Sequence, residues 1–153
     1  MEPAMTASDR YGERDASMND WQEGDSATFS KTVTEADIIL YAGITGDTNP
    51  VHLDAEYARM TRFGQRIAHG MLTAGFISAV LGTKLPGPGA IYMGQTLRFL
   101  KPVYIGDTVT ATATIDSYDQ ERRRLKVATV CRNQHGDEVL TGEADILLMR
   151  TQP

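Results

Sequence analysis

The second half of the chain is marked by an alternation of apolar and polar residues. Between residues 109 and 115, four apolar side chains alternate with threonines, which predicts a strand with one buried face. Residues 125–131 and 138–149 are predicted to form two further strands joined by a hairpin loop that contains a glycine. A looser alternation over residues 25–34 predicts another strand nearer the N-terminus.

The first half of the chain follows a helical period instead. Thr34 is a good N-cap residue, and Asp37 stands three positions later, as in a capping box. Apolar residues then recur at helical spacing until Gly46, a residue typical of a helix C-terminus. Residues 47–50 are predicted to form a turn, because a proline disfavours helical angles at the residue before it. A short helix is predicted over residues 53–61.

The most apolar segment, residues 67–85, is predicted to be a long central helix. Its apolar residues lie nearly all round the helix, and such a helix is normally buried. The sequence PGPGA at 86–90 ends it. The simplest packing is an α+β domain in which a curved antiparallel β-sheet wraps around this helix. Pairing with a second copy, edge to edge, would then cover the exposed strand edges.

Composition and charge narrow the class of protein. The 153 residues suit a single domain, and the net charge of −5 argues against nucleic acid as a partner. Residues 1–20 are polar, contain no apolar core of a signal peptide, and are predicted to form a disordered tail before one domain at 21–153. No stretch approaches the roughly 18 apolar residues of a membrane span. With a single cysteine and therefore no intrachain disulfide, the expectation is a cytoplasmic protein without a membrane partner.

Candidate chemistry is concentrated in the segment YAGITGDTNPVHLDAEYA. Asp47 and His52 lie five residues apart, with Asn49 and Pro50 between them. Such residues are common in turns, so a polar loop is one interpretation. The other is a carboxylate and an imidazole held close together by a stiff turn, as an acid–base pair requires. The residues alone leave both interpretations open.

A second candidate lies at the start of the central helix. The first N–H groups of a helix have no internal partner, and a glycine at position 70 would let a substrate carbonyl approach them. The simpler interpretation is that Gly70 serves packing and that His69 is a satisfied, partly buried histidine. Ser78 follows two turns later, and a serine in a buried helix must form a hydrogen bond.

For the other potentially reactive residues, the sequence predicts structural roles. His135 is predicted to be solvated in a hairpin loop, and Cys131 is predicted to pack within a strand. The arginines at 122–124 suit a charged turn better than a phosphate site. The histidines and the cysteine have no zinc-ligand spacing, so no metal site is predicted.

The segment from Tyr41 to Ala58 resembles the signature of the MaoC-like, (R)-specific enoyl-CoA hydratases. That signature has Gly-Asp-x-Asn-Pro-aliphatic-His at its centre, and every fixed position is met here. IAHGMLTAGFISAVLG and LRFLKPVYIGDTV resemble the central helix and the following strands of the family. The resemblance spans roughly residues 28–148. It implies a hot-dog fold, in which an antiparallel sheet wraps a long helix, and hydration of trans-2-enoyl-CoA to (R)-3-hydroxyacyl-CoA, together with the reverse dehydration.

The resemblance also implies roles for individual residues. Asp47 and His52 would be the catalytic pair, and the Gly70 N–H would bind the thioester carbonyl as an oxyanion hole. Asn49 would shape the turn and support the site, and Ser78 would support the pair through hydrogen bonds. It implies no metal or redox cofactor, with coenzyme A carried by the substrate, and a homodimer or higher homo-oligomer.

Several alternative functions remain open at this stage. One is a dehydratase acting on acyl-carrier-protein thioesters or on branched or dicarboxylic acyl-CoA. A thioesterase on the same fold is another. A non-catalytic acyl-CoA binder is disfavoured, because a binder has no use for both Asp47 and His52.

Overall fold

A computed structural model describes residues 21–149 of the chain. The predicted tail at 1–20 and the last four residues of the predicted domain therefore lie outside the described residues. Strand β1 is Ser26–Thr32. Four helices follow along the chain: α1 Glu35–Thr45, α2 Pro50–Leu53, α3 Ala55–Arg59 and α4 Gly70–Thr83. The remaining strands are β2 Ala90–Gln95, β3 Arg98–Phe99, β4 Thr108–Asp119, β5 Arg124–Arg132 and β6 Glu138–Leu148.

The six strands form one antiparallel sheet wrapped around α4. The strand order is β1-β4-β5-β6-β2, and β3 pairs with β6 beside this path. Register shifts in the β4–β5, β5–β6 and β2–β6 pairs mark irregularities of the kind that bend and twist a sheet. The α+β hot-dog fold expected from the sequence is therefore confirmed.

The core lies between the sheet and one face of α4. The alternation predicted in β4 is observed, since all four of its apolar side chains between 109 and 115 are buried. They meet Phe76, Ile77, Val80 and Leu81 of α4, which are also buried. Burial of such side chains is the main favourable term in folding, at roughly 25 cal/mol per Å² of apolar surface.

The prediction that α4 is buried on all sides is wrong. Its opposite face exposes Met71, Gly75, Ser78 and Gly82 at helical spacing. The sheet of one chain covers a single side of the helix, and small residues on the other side reduce the apolar surface left to solvent.

The ends of α1 are as the sequence predicts. Thr34 Oγ1 accepts a hydrogen bond from the Asp37 N–H, and the Asp37 carboxylate accepts one from the Thr34 N–H, which completes the capping box. Gly46 ends the helix in the left-handed conformation, with φ of 79°.

The turn after α1 is shorter than predicted. Pro50 is the first residue of the one-turn helix α2, a position that proline favours because it has no N–H to satisfy there. The Asn49 side chain caps this helix by accepting a hydrogen bond from the Val51 N–H, at 3.2 Å. The helix predicted at 53–61 is therefore two short helices, separated by Asp54, which is the N-cap of α3. His52 belongs to a helix and not to the turn.

Strand β2 was not predicted from the sequence. Its four central residues are all exposed, so it has no alternation of apolar and polar positions that marks a half-buried strand. Among the described strands it forms one edge of the sheet and pairs with β6 alone.

The fold predicts a severe effect of one substitution, Gly142→Ala. A Cβ atom at Gly142 would lie 1.8 Å from the carbonyl oxygen of Thr96, because the chain between β2 and β3 runs closely alongside β6 there. We expect a loss of about 1–3 kcal/mol in the free energy of unfolding. Gly94→Ala is the matched control, because a Cβ there meets nothing within 4 Å. Equal denaturation midpoints for the two variants would contradict this account of the close approach.

Candidate functional site

Four segments converge and form a cavity. They are the turn from α1 into α2, the loop that leads into the start of α4, the end of β3 with the chain after it, and the beginning of β6. The cavity has a volume of about 320 Å³ and is lined by Asp47, His52, His69 and Gly70 among polar and small residues, and by Phe63, Ile67, Phe99, Leu100, Val103 and Leu140 among apolar ones. An apolar cleft with a few convergent polar groups is the usual form of a small-molecule site.

Asp47 is held by the turn itself. Its N–H donates to Thr45 Oγ1 and its Oδ1 accepts from the Asn49 N–H, each at 3.2 Å. Asn49 contacts both sides of the turn, since its backbone N–H donates to Asp47 and its side chain caps the start of α2. The Asp47 carboxylate is exposed and lines the cavity.

His52 is held more deeply than a turn residue would be. Its side chain is buried, at 8% exposure, and Nδ1 lies 2.8 Å from the Ile67 carbonyl oxygen. A carbonyl only accepts, so Nδ1 carries the proton, and Nε2 of the neutral ring keeps its lone pair. The backbone of His52 is fixed as well, because Arg66 Nε donates to its carbonyl oxygen at 2.7 Å while Arg66 pairs with Glu35.

The protein lowers the pKa of His52 below that of an ordinary histidine. The largest cause is burial, which penalises the charged imidazolium, and the neighbouring His69 lowers it further. The carbonyl of Ile67 and the carboxylate of Asp47 oppose the shift. The neutral ring, with an acceptor at Nε2, is therefore favoured.

His69 lies directly against this pair, which the sequence did not indicate. Its ring centroid is 3.8 Å from that of His52, at an interplanar angle of 30°, and 4.7 Å from that of Tyr41. Its Nε2 lies 2.9 Å from the Asp47 carbonyl oxygen. The predicted satisfied and partly buried histidine is in fact almost fully buried, and one of its ring nitrogens has no partner among the described residues. A histidine at the N-cap of an apolar helix was the signal available in the sequence.

Gly70 is the first residue of α4, and its N–H has no carbonyl one turn back within the helix. The Phe99 ring closes over this position. A Cβ at Gly70 would lie 2.6 Å from the nearest ring carbon of Phe99, so glycine permits the contact. Since Phe99 is half-exposed, its ring can move aside for a ligand approaching the helix N-terminus.

Asp47, His52 and His69 each offer a possible metal ligand within 4.8 Å of the others. The arrangement does not suit coordination, however. The two imidazole rings are stacked, with centroids 3.8 Å apart, so they pack against each other face to face. Each ring also uses one nitrogen on a backbone carbonyl. These residues therefore fit an acid–base site better than a metal site.

Ser78 is not brought to the pair. It lies on the exposed face of α4, outside the lining of the cavity, and no hydrogen bond joins it to Asp47 or His52 in residues 21–149. The expected support from Ser78 is therefore absent within the described part of the chain.

The remaining candidates keep the structural roles predicted for them. Cys131 is fully buried, and burial raises the pKa of its thiol to about 12, so it does not supply a thiolate nucleophile. His135 is exposed in the hairpin loop. At the rim of the cavity, Arg62 lies over the Phe63 ring, 5.0 Å from its centroid, and forms no ion pair with any carboxylate in the described residues.

No helix in the described part of the chain combines the length and hydrophobicity needed to cross a membrane.

Comparison with known proteins assigns a family to this arrangement. The model of the MaoC-like domain matches residues 20–136. An (R)-specific enoyl-CoA hydratase of Rhodospirillum rubrum is 54% identical over 129 residues, which cover 84% of this chain and 89% of the relative. A 3-hydroxybutyryl-CoA dehydratase of Methylorubrum extorquens is 50% identical over 82% of this chain and 79% of its own length.

A solved structure is similar over the same region. The unliganded R-hydratase PhaJ1 of Pseudomonas aeruginosa superposes with a TM-score of 0.81 at 44% identity, covering 86% of this chain and 84% of that one. The match in fold and sequence together covers the turn, the start of α4 and the strands around the cavity.

The lowered pKa of His52 predicts a pH dependence of stability. Below the ordinary histidine value of 6.5, the unfolded chain binds a proton at this residue that the folded chain does not bind. The free energy of unfolding should therefore fall as the pH falls below about 6.5. Chemical unfolding between about pH 5 and pH 8 measures it. His52→Gln should remove this part of the dependence and His135→Gln should retain it, whereas identical pH profiles for wild type and His52→Gln would refute the shift.

Proposed function

The chain belongs to the MaoC-like family, and from that premise we propose that it adds water to the double bond of a trans-2-enoyl-CoA, giving an (R)-3-hydroxyacyl-CoA, and catalyses the reverse dehydration. The observation that carries the proposal is the meeting of Asp47, His52 and the Gly70 N–H on the wall of one largely apolar cavity. The relatives whose names describe this chemistry support it.

In the proposed reaction the thioester carbonyl lies against the N-terminus of α4. The Gly70 N–H donates to the carbonyl oxygen and stabilises the negative charge that develops there as water attacks C3. Apolar side chains of the cavity receive the acyl chain. The approach requires Phe99 to swing away from Gly70, since its ring occupies the space next to that residue.

Asp47 and His52 act on a single water molecule. The bare Nε2 of His52 and the Asp47 carboxylate are both acceptors, so together they orient the two O–H bonds of the water. The water oxygen forms its bond to C3, the electron pair of the double bond moves to C2 and the carbonyl, and the proton taken from water is delivered to C2. Hydrogen and hydroxyl are thus added with no change in oxidation state. The reaction needs no metal or redox cofactor.

Coenzyme A is the proposed carrier. Its phosphates are anionic, and Arg62 at the rim supplies a cation without a carboxylate partner among the described residues. An ultraviolet assay of crotonyl-CoA, compared with the crotonyl thioester of an acyl carrier protein, tests the choice. Faster turnover of the carrier-protein thioester would favour the alternative dehydratase. Release of free thiol would instead indicate a thioesterase.

We further propose that the protein is a homodimer joined at β2. Within residues 21–149 no strand pairs with the outer side of this edge strand, which exposes Ile91, Tyr92 and Met93. Pairing with β2 of a second copy would extend the sheet and cover these side chains. A dimer is the smallest closed arrangement that uses this edge.

The dimer is tested by light scattering, where the expected mass is twice the 16.8 kDa of the chain. Met93→Lys places a charge on the β2 edge and should shift the protein toward the monomer. Met60→Lys is the matched control, because Met60 is 77% exposed and lies after α3, outside the sheet. A wild-type mass equal to that of one chain would contradict the proposal.

Replacement of the catalytic pair gives the sharpest test of the reaction. Asp47→Asn and His52→Gln should each lower kcat for crotonyl-CoA hydration by at least roughly 10²–10⁴, the usual size of one acid–base contribution. The double variant should be little worse than the poorer single one, because two groups that position one water act as a unit.

Asp116→Asn and His135→Gln are matched controls, since both residues are exposed and outside the cavity. Circular dichroism checks folding, which matters for His52 because its side chain is buried. A folded single variant that keeps more than about a tenth of the wild-type kcat would remove the pair from the mechanism, since that is well above the acid–base range.

A further inference from the structure

His69 contacts both members of the catalytic pair but has no part in the reaction as proposed. It is the N-cap residue of α4, yet its side chain makes no capping hydrogen bond. Instead, Nε2 lies 2.9 Å from the Asp47 carbonyl oxygen. Because a carbonyl only accepts, Nε2 carries the proton, and the lone pair of the neutral ring is on Nδ1. This Nδ1 is buried and has no partner among the described residues.

Thr73 also carries a buried polar atom without a partner in the described part of the chain, in this case a hydroxyl that can donate. It follows His69 by four residues, one turn along α4, and its side chain is also 2% exposed. Its hydroxyl is buried and finds no partner in residues 21–149. A threonine in a helix commonly donates to the carbonyl four residues back, as Thr83 does to Ala79 at 2.6 Å in this same helix. Thr73 does not do so.

Both residues line the same cavity, and one of the two unpartnered atoms is an acceptor while the other can donate. Nδ1 of His69 is an acceptor and the hydroxyl of Thr73 is a donor. A buried polar atom without a partner costs roughly 1–3 kcal/mol. The two atoms do not bond to each other directly, so the pair points to one water molecule bridging them.

We propose that His69 is a positioning residue whose tautomer is fixed by Thr73. The hydroxyl of Thr73 holds a water molecule that donates to Nδ1, so the ring proton stays on Nε2 and holds the carbonyl of Asp47. The same ring packs against His52 and prevents it from turning. One side chain that does not itself react thereby fixes the positions of the catalytic carboxylate and imidazole relative to each other. This inference rests on the proposed hydration activity.

Thr73→Val is the decisive variant, because valine keeps the shape of threonine and removes the hydroxyl. With Nδ1 unoccupied, the other tautomer becomes accessible and the Asp47 carbonyl loses its donor. We expect kcat to fall roughly 10-fold, the lower end of the effect of removing an outer hydrogen-bond partner, with KM changed less than about twofold. Thr73→Ser keeps the hydroxyl and should stay within about threefold of wild-type kcat. Thr83→Val, an exposed site on the same helix, is the control and should leave kcat unchanged.

The melting temperature and kcat of Thr73→Val, taken together, distinguish the positioning role of His69 and Thr73 from simple packing. Removal of an unpaired hydroxyl from a core is neutral or stabilising, so under the packing interpretation Thr73→Val melts at or above the wild-type temperature with unaltered kcat. An unaltered kcat in Thr73→Val would overturn the proposal. An equal loss in Thr73→Val and Thr73→Ser would overturn it as well, because it would assign the effect to shape.

A nitrogen NMR measurement tests the tautomer of His69 without using activity. The tautomer assignment can therefore be judged separately from the proposed hydration reaction. In the wild-type protein at neutral pH, His69 should carry its proton on Nε2, with Nδ1 unprotonated. In Thr73→Val the His69 signals should shift toward a mixture of tautomers, whereas those of exposed His135 should not change. A wild-type His69 protonated at Nδ1, or a tautomer unaffected by Thr73→Val, would refute the assignment.

Discussion

The burial of one face of α4 against the sheet is the interaction on which the rest of the structure depends. Phe76, Ile77, Val80 and Leu81 fix the helix by this face, and the T-shaped contact of Phe76 with Phe29 of β1 joins it to the far side of the sheet. Since the helix is held along its length, its N-terminus is also fixed in space. The first residues of that end, Gly70 and Met71, then line the cavity, where their N–H groups have no partner one turn back in the helix.

Two histidines connect this fixed helix end to the turn that carries Asp47. His52 donates from the turn side to the carbonyl of Ile67, and His69 donates from the helix side to the carbonyl of Asp47. Each histidine therefore binds a backbone carbonyl of another segment, and the two rings stack on each other. A short turn of polar residues would otherwise have few contacts to define its position. The reciprocal arrangement explains how a partly exposed carboxylate can be placed accurately next to a buried imidazole.

Local chemistry in the sequence predicted much of this fold. The capping box of Thr34 and Asp37, the stop at Gly46 and the alternation in β4 are all decided by neighbours within a few residues, and all are observed. The features that failed depend on the packing of distant segments. β2 has no alternation because its environment is set by the edge of the sheet, and Ser78 was misplaced because the sheet covers only one side of α4.

In the candidate site, too, the features that depend on nearby residues could be anticipated and those that depend on distant segments could not. The spacing of Asp47, Asn49 and His52 left a polar loop and a catalytic pair both open, and the structure brings the Asp47 and His52 side chains to one cavity. The sequence did not indicate that His52 is buried, because Pro50 begins a helix there and Ile67 comes from fifteen residues further on to meet its ring. Nor did it indicate His69, since a stacking contact between residues from two separate segments leaves no local pattern.

The hydrogen bond from His52 to Ile67 also limits how protons move in the proposed reaction. It keeps Nδ1 protonated, so Nε2 faces the cavity as an acceptor, and burial disfavours a second proton on the ring. With a carboxylate as its partner, the site starts from two acceptors and no spare acidic proton. The proton that leaves the attacking water is then the one that C2 receives. Because the enzyme ends in the ionisation state in which it began, dehydration must use the same groups in the reverse order.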